Sequence, residues 1–192
     1  MPSVHVDRLV SGLRDIPERD FTVGTVYEFL KENPVEEASL EPYLFFSSTH
    51  YTRNLIYKNE LFELVAVCWD VGQSSQIHNH DGQLCWMAIP AGRLRVQNFR
   101  VVEQDARTRF CRVEATDHFD LDRREPAAEV DPEEPVHQVL NLSEFGARAV
   151  SLHVYSRPYN HCVVYSTAKN EYRDMPLKYS SEYGRLCEGE RL

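Results

Sequence analysis

No apolar run in this chain approaches the roughly 20 residues that a membrane-spanning helix needs. The first residues, MPSVHVDRLVSGLRDIPERD, also lack the basic-then-apolar order of a secretion signal. Both absences lead us to expect a soluble, cytoplasmic protein with no membrane partner. Cysteine is present but unpaired in pattern: the five residues at 68, 85, 111, 162 and 187 form no CxxC, and their number is odd. That argues against a disulfide framework and for reduced, mostly buried thiols. Basic residues are outnumbered, 21 against 30 acidic, for a net charge of −9. Such a surface disfavours nucleic acid, which needs a basic face, but leaves room for a small anion held by one local arginine. Internal repeats and low-complexity tracts are lacking as well.

What remains is 192 residues with 42% hydrophobic content, enough for one domain with an ordinary core. We read a single domain, 1–192, with a helical segment over 1–42, a β-barrel over 43–168 and a tail over 169–192 that packs loosely on the barrel. Val6, Leu9, Val10 and Leu13 keep the i, i+3, i+4, i+7 spacing of one helix face. A second helix starts near Thr22 or Gly24, carries Val26, Tyr27, Phe29 and Leu30, and ends before Asn33-Pro34. The stretch to Pro42 is acidic and connective. From about Tyr43 short β-type runs alternate with turns: Leu44–Phe46, Thr49–Tyr57, Phe62–Trp69, Gln76–His80, Cys85–Pro90 and Gly92–Arg100. Phe110–Glu114, Val136–Asn141, Ala149–Tyr155 and His161–Tyr165 follow. Many short strands at regular spacing predict a mainly β sandwich or barrel behind N-terminal helices. The charged stretch from Glu103 to Glu134 reads as solvated strands, turns and an exposed loop, because Asp and Glu are seldom buried without partners.

His78 and His80 stand two apart after a β-type run, so in an extended strand both imidazoles face the same way. On their own they fit a polar turn equally well. His137, in the run VHQVLNL, offers a third imidazole on a later strand that a barrel would bring alongside. Three neutral imidazoles suit Zn, Fe, Ni or Cu, and ligand type alone does not choose among them. His5, His50, His118 and His161 read as surface or structural residues. His-x-His followed by a distant His is the general pattern of the cupins, small double-sheet, jelly-roll-like barrels.

The finer pattern resembles one cupin family, the cysteine dioxygenases. Tyr51-Thr52-Arg53-Asn54 is similar to the family's YTRN element. Cys68-Trp69, Ser74-Ser75 and Ile77-His78-Asn79-His80 resemble its CWG…SSIHDH block. Cys85, His137 and Ser151-Leu152-His153-Val154-Tyr155-Ser156 fall in the same order, and Cys162 fits seven residues after Tyr155. The resemblance covers about residues 43 to 165. It implies ferrous iron on His78, His80 and His137, and oxidation of L-cysteine by O2 to cysteine sulfinic acid. It further implies that Arg53, assisted by Tyr51, holds the substrate carboxylate, a role that suits a planar guanidinium fork. Ser151, His153 and Tyr155 share a strand face and would form a relay ending at the tyrosine hydroxyl. No GxSxG elbow accompanies that serine, which removes the hydrolase reading. In animal members the cysteine at the place of Cys85 is joined by a thioether to the tyrosine. We therefore expect a Cys85–Tyr155 crosslink in some fraction of molecules, the plainer reading being an unmodified buried thiol.

One departure stands out. Where the animal family has Ser-Pro-Pro after the tyrosine, this chain has Ser156-Arg157-Pro158. A cis Ser–Arg bond is far costlier than a cis Ser–Pro bond, so we expect a different loop path. Arg157 could then enter the pocket as a second anion-binding group, which bears on substrate identity. Two alternatives stay open. A 3-mercaptopropionate dioxygenase would share the iron site but usually has glutamine in place of Arg53. A non-redox cupin, an isomerase or a sensory module, would need the histidines alone. For oligomeric state the expectation is a monomer.

Overall fold

The structure, a computed structural model, describes residues 2–124, 128–129 and 136–190. Helix α1 (Val6–Asp15) buries Val6, Leu9 and Leu13 on one face, and the His5 ring caps its N-terminus by accepting from the Asp7 N–H. Helix α2 (Val23–Glu32) buries Val26 and Leu30 and is capped by the Thr22 hydroxyl, which accepts from the Thr25 N–H. The connective stretch forms a 3-10 segment, Glu37–Tyr43.

The strands are β1 (Thr52–Lys58), β2 (Glu63–Trp69), β3 (Ile77–His78), β4 (Leu84–Ala91), β5 (Arg93–Asp105), β6 (Phe110–Asp122) and β7 (Ala128–Glu129). They continue with β8 (Val136–Leu140), β9 (Ala149–Ser156), β10 (His161–Ser166), β11 (Glu171–Pro176), β12 (Ser181–Glu182) and β13 (Arg185–Leu186). One sheet runs β13-β12-β1-β2-β9-β4-β7. The other, β10-β11-β6-β5-β8-β3, closes on itself where β3 pairs with β10. This is the mainly β double-sheet barrel with N-terminal helices that the sequence predicts. Gly92 links β4 to β5 at φ +77°, and a Cβ there would come within 2.5 Å of the Arg148 carbonyl oxygen, so only glycine fits without a shift.

Two expectations need correction. Leu44–Phe46 forms no strand, because the Phe45 carbonyl is taken by the Thr52 hydroxyl instead of a ladder partner. The charged stretch holds the expected solvated strands, whereas the exposed loop expected within it falls largely on residues 125–127 and 130–135, outside the described residues. β5 and β6 pair along nearly their whole length, with Arg100 opposite Glu114 and Arg95 bonded to Asp120. The segment after Lys169 is not loose: β11 joins the barrel sheet, while β12 pairs in parallel with β1, Asn54 opposite Ser181.

β2 is buried along its whole length because both faces of its sheet are covered. Leu64, Ala66, Leu152, Val154 and Trp86 turn outward into one core with Leu9, Leu13, Val26 and Leu30 of the helices. Val65, Val67, Trp69, Cys85, Met87 and Tyr155 turn inward, against Leu94, Val96 and Val139 of the barrel sheet. At about 1.5–3 kcal/mol for each fully buried large apolar side chain, these two layers dominate the stability of the fold. Period-two alternation then fixes which polar residues share the inner face: Arg53 on β1, Glu63 on β2, and Ser151, His153 and Tyr155 on β9.

Candidate active site

β3 is only two residues long, yet it pairs with β8 on one side and β10 on the other, and it sets His78 directly opposite His137. His80 follows two residues later. The ligand atoms of His78, His80 and His137 all lie within 4.8 Å of one another. Their ring centroids are 4.8 to 5.3 Å apart, with interplanar angles from 65° to 85°, so the imidazoles converge edge-on instead of stacking. His80 and His137 are buried and His78 is half-buried. Burial above all brings the His78 pKa down to about 4 and puts those of His80 and His137 well below the ordinary imidazole value. All three are therefore neutral near pH 7, the form that ligates metal. The Gln76 carbonyl lies 2.8 Å from His78 Nδ1; an Nδ1–H donating there leaves Nε2 with its lone pair free. A shared centre, neutral rings and a fixed tautomer fit a divalent transition metal.

Arg53 reaches a small cavity whose walls also include Tyr51, Trp69, His78, His153 and Tyr155. Its side chain is 12% exposed, and Nη1 donates to the Tyr155 hydroxyl at 3.4 Å. Nε and Nη2 are buried without a hydrogen-bond partner. Buried donors left unmet cost about 1–3 kcal/mol each, more when charged, so this fork is built for an acceptor. A carboxylate satisfies two N–H groups of a guanidinium at once. The Tyr51 ring stacks on Trp69 with centroids 4.7 Å apart, which fixes it along one wall.

On β9 the Trp69 indole N–H donates to Ser151 Oγ at 2.9 Å, and Ser151 Oγ lies 2.8 Å from His153 Nε2. His153 then meets Tyr155 by ring stacking, centroids 5.6 Å apart and planes 13° from parallel, while the tyrosine hydroxyl is bonded by Arg53. The three residues are thus brought together as expected, but the last step of the row is a stack. Burial first, and the Arg53 charge second, bring the His153 pKa down to about 3, so it too is neutral. Cys85 and Tyr155 are direct cross-strand partners, and the Cys85 sulfur sits 3.9 Å from His153 Nδ1. Burial pushes both the thiol and the phenol above their ordinary values, so each is protonated near neutrality. Cys162 is buried as well, its thiol pushed up to about 11 by burial.

Arg157 does not enter the cavity. Its guanidinium pairs with Glu18 at the surface, and its backbone N–H donates to Gln83 Oε1 at 2.5 Å. Contrary to the sequence expectation, the Ser156–Arg157 peptide is cis. The following turn places the Tyr159 ring against Tyr155, centroids 5.2 Å apart, and against His80 at 6.3 Å. Tyr159 was not singled out from the sequence, and neither were Glu63 and Tyr179, which adjoin Arg53. Glu63 carried a signal, an acidic residue opening an apolar run. Tyr159 and Tyr179 lie in polar turns and carried none. His161 pairs at the surface with Asp81, 3.1 Å away, and His50 with Glu190 at 3.8 Å.

A double-sheet barrel with three imidazoles converging on its inner face is a cupin with a candidate metal centre. The cysteine dioxygenase type I family model matches residues 3–168, and the chain belongs to that family. It is accordingly an enzyme of the dioxygenase type. Cysteine dioxygenase type 1 of Rattus norvegicus is 29% identical over 163 residues, 84% of this chain and 77% of that one. The Homo sapiens protein of the same name is 27% identical over the same shares. Among solved structures, a Klebsiella pneumoniae protein with a double-stranded β-helix domain aligns with a TM-score of 0.45 at 16% identity, covering 62% of this chain and 81% of that one. The architecture stands on the strand order given above. Among the described residues no helix is long and apolar enough to cross a membrane.

Proposed function

We propose that the chain is a non-haem iron(II) thiol dioxygenase that oxidises L-cysteine with O2 to cysteine sulfinic acid. The observation that carries the reading is that His78, one member of a three-imidazole cluster, lines the same small cavity as a buried arginine fork with unmet donors. His78, His80 and His137 would hold the iron, which supplies the redox chemistry that joins dioxygen to sulfur. Three neutral ligands add no negative charge, which favours a thiolate as a further ligand.

The chain's own residues do the rest. Arg53 takes the substrate carboxylate through its unmet guanidinium donors and so fixes the distance between carboxylate and sulfur. Its Nη1 keeps the Tyr155 hydroxyl aimed into the cavity, where that hydroxyl can donate a proton to substrate or oxygen. Tyr155 is protonated at neutral pH, as a donor must be. His153, fixed by Ser151 and Trp69, supports the Tyr155 ring from one side. The apolar inner layer and Tyr159 keep bulk water from the sulfur.

The cross-strand pairing of Cys85 with Tyr155 supports a thioether between them, in which an S–C bond replaces S–H and a ring C–H. Two electrons and two protons leave, with dioxygen as their acceptor. Arg53, standing where 3-mercaptopropionate dioxygenases usually have glutamine, supports cysteine as the substrate. The test is oxygen uptake by anaerobically iron-loaded protein with each thiol in turn, sulfinate being quantified. One O2 consumed per sulfinate from cysteine, with little from the other thiol, is expected. Preference for 3-mercaptopropionate would overturn the substrate. No uptake despite bound iron would overturn the reaction.

A further inference from the structure

Behind Arg53 lies a carboxylate that the proposed reaction does not use. Glu63 is fully buried on the inner face of β2, in one cross-strand row with Tyr155 and Cys85. A register shift in β1 between Leu55 and Tyr57 brings Lys58 opposite it. Glu63 Oε2 accepts a short hydrogen bond from the Tyr179 hydroxyl and lies 3.5 Å from Lys58 Nζ. The Lys58 ammonium donates to the same tyrosine oxygen at 3.3 Å. Oε1 has no hydrogen-bond partner and points at Arg53 Nη2, 3.9 Å away. A buried carboxylate is kept by the cations beside it, here Lys58 at one oxygen and Arg53 at the other, so Glu63 ties Arg53 to this group.

The same segment that carries Tyr179 also holds the Arg53 backbone. The Ser180 N–H donates to the Arg53 carbonyl at 2.7 Å, and the Arg53 N–H lies 3.4 Å from Ser180 Oγ. The Tyr183 N–H reaches the Leu55 carbonyl at 2.8 Å. This segment lies beyond residue 168, where the family match ends.

We infer that Glu63 and Tyr179 are positioning residues for Arg53, and that the C-terminal segment thereby sets how tightly a thiol bearing a carboxylate is bound. Glu63 restrains the guanidinium from the side of Nη2, so that the fork keeps one orientation at the cavity wall. Tyr179 and Lys58 restrain Glu63 in turn. Preorganisation of this kind acts on affinity by sparing the ordering of a long side chain at binding. The inference rests on the carboxylate role proposed above for Arg53.

The experiment is calorimetric titration of anaerobic iron(II) protein with L-cysteine and, separately, with 2-aminoethanethiol, which has the same thiol and amine but no carboxylate. Wild type, Glu63→Gln and Tyr179→Phe are compared. Cysteine should bind Glu63→Gln about tenfold more weakly and Tyr179→Phe about threefold more weakly, as expected for hydrogen bonds acting at one remove. Binding of 2-aminoethanethiol should stay unchanged in both. Equal losses on both thiols would show a merely structural role and overturn the inference. So would tighter binding of cysteine to Glu63→Gln, because Glu63 would then be opposing the substrate charge. Should Glu63→Gln not fold, Tyr179→Phe decides alone, and wild-type affinity for it would also overturn the inference. If wild-type protein binds the two thiols equally, the carboxylate role of Arg53 fails first, and separately.

Discussion

Acid should destabilise the metal-free protein well above the pH at which its carboxylates protonate. His78 has its pKa lowered to about 4 and His153 to about 3, against about 6.5 in an unfolded chain. Both folded values are depressed, so below pH 6.5 the unfolded state binds protons that the folded state refuses. Stability is then complete above pH 6.5 and is lost as the pH falls towards the folded values. At pH 5 the loss is about 2 kcal/mol for each of these two groups, about 4 kcal/mol together. His80 and His137 are shifted the same way and add to it. For a domain of this size, about 4 kcal/mol corresponds to a fall in Tm of about 8–16 °C between pH 7 and pH 5. The lowered carboxylates do not enter this window. Asp122, brought down to about 2 chiefly by its hydrogen bond from Arg124, loses its contribution only as the pH falls through the ordinary carboxylate range towards its lowered value, as do Asp70, Asp105 and Asp120. The assay is thermal denaturation of chelator-treated protein at pH 7, 6 and 5. His153→Gln should show a shallower dependence, having one fewer buried imidazole. A Tm that is flat from pH 7 to 5 would refute the claim that these rings are buried neutral.

Two substitutions test the cavity directly. Arg53→Gln removes the fork, and cysteine should lose about 2–3 kcal/mol of binding, some 30- to 150-fold, while 2-aminoethanethiol loses at most about threefold; equal losses measured by titration would contradict the carboxylate role. Cys85→Gly should abolish any faster-migrating band that the wild type shows on denaturing gels after turnover with cysteine and O2, and a doublet persisting in the variant would refute the thioether.

The helices were legible because their buried faces follow helical spacing and Thr22 stands at the start of the second; the His5 cap of the first was not read from the sequence. The sheet that carries Arg53 and Tyr155 was legible for another reason: with helices on one side and the barrel on the other, β2 had to be apolar nearly throughout, while β9 alternates apolar residues with Ser151, His153 and Tyr155. The convergence of His78 with His137 could be anticipated but not located, since 59 residues separate them in the sequence and only pairing through a two-residue strand joins them. Glu63 shows where reading by composition fails. An acidic residue at the start of an apolar run suggests an exposed strand end, yet a register shift on β1 and a tyrosine from the far end of the chain enclose it. Arg157 misled in the opposite sense, its charge inviting a role in the cavity that Glu18 and Gln83 pre-empt at the surface.

The two residues of β3 close the barrel between β8 and β10, and one of them is His78. Closing the seam and assembling the three imidazoles are therefore one event. In a barrel opened at that seam, His78 would part from His137, and the cavity would lose its shape and its ligands together. A metal held across it would act as a rivet between strands that are distant in sequence, so folding and cofactor capture share a single latch. Amide exchange at Ile77, His78 and His137 should therefore slow when metal binds, while the long β5–β6 ribbon, whose ladder does not depend on the seam, should exchange as before.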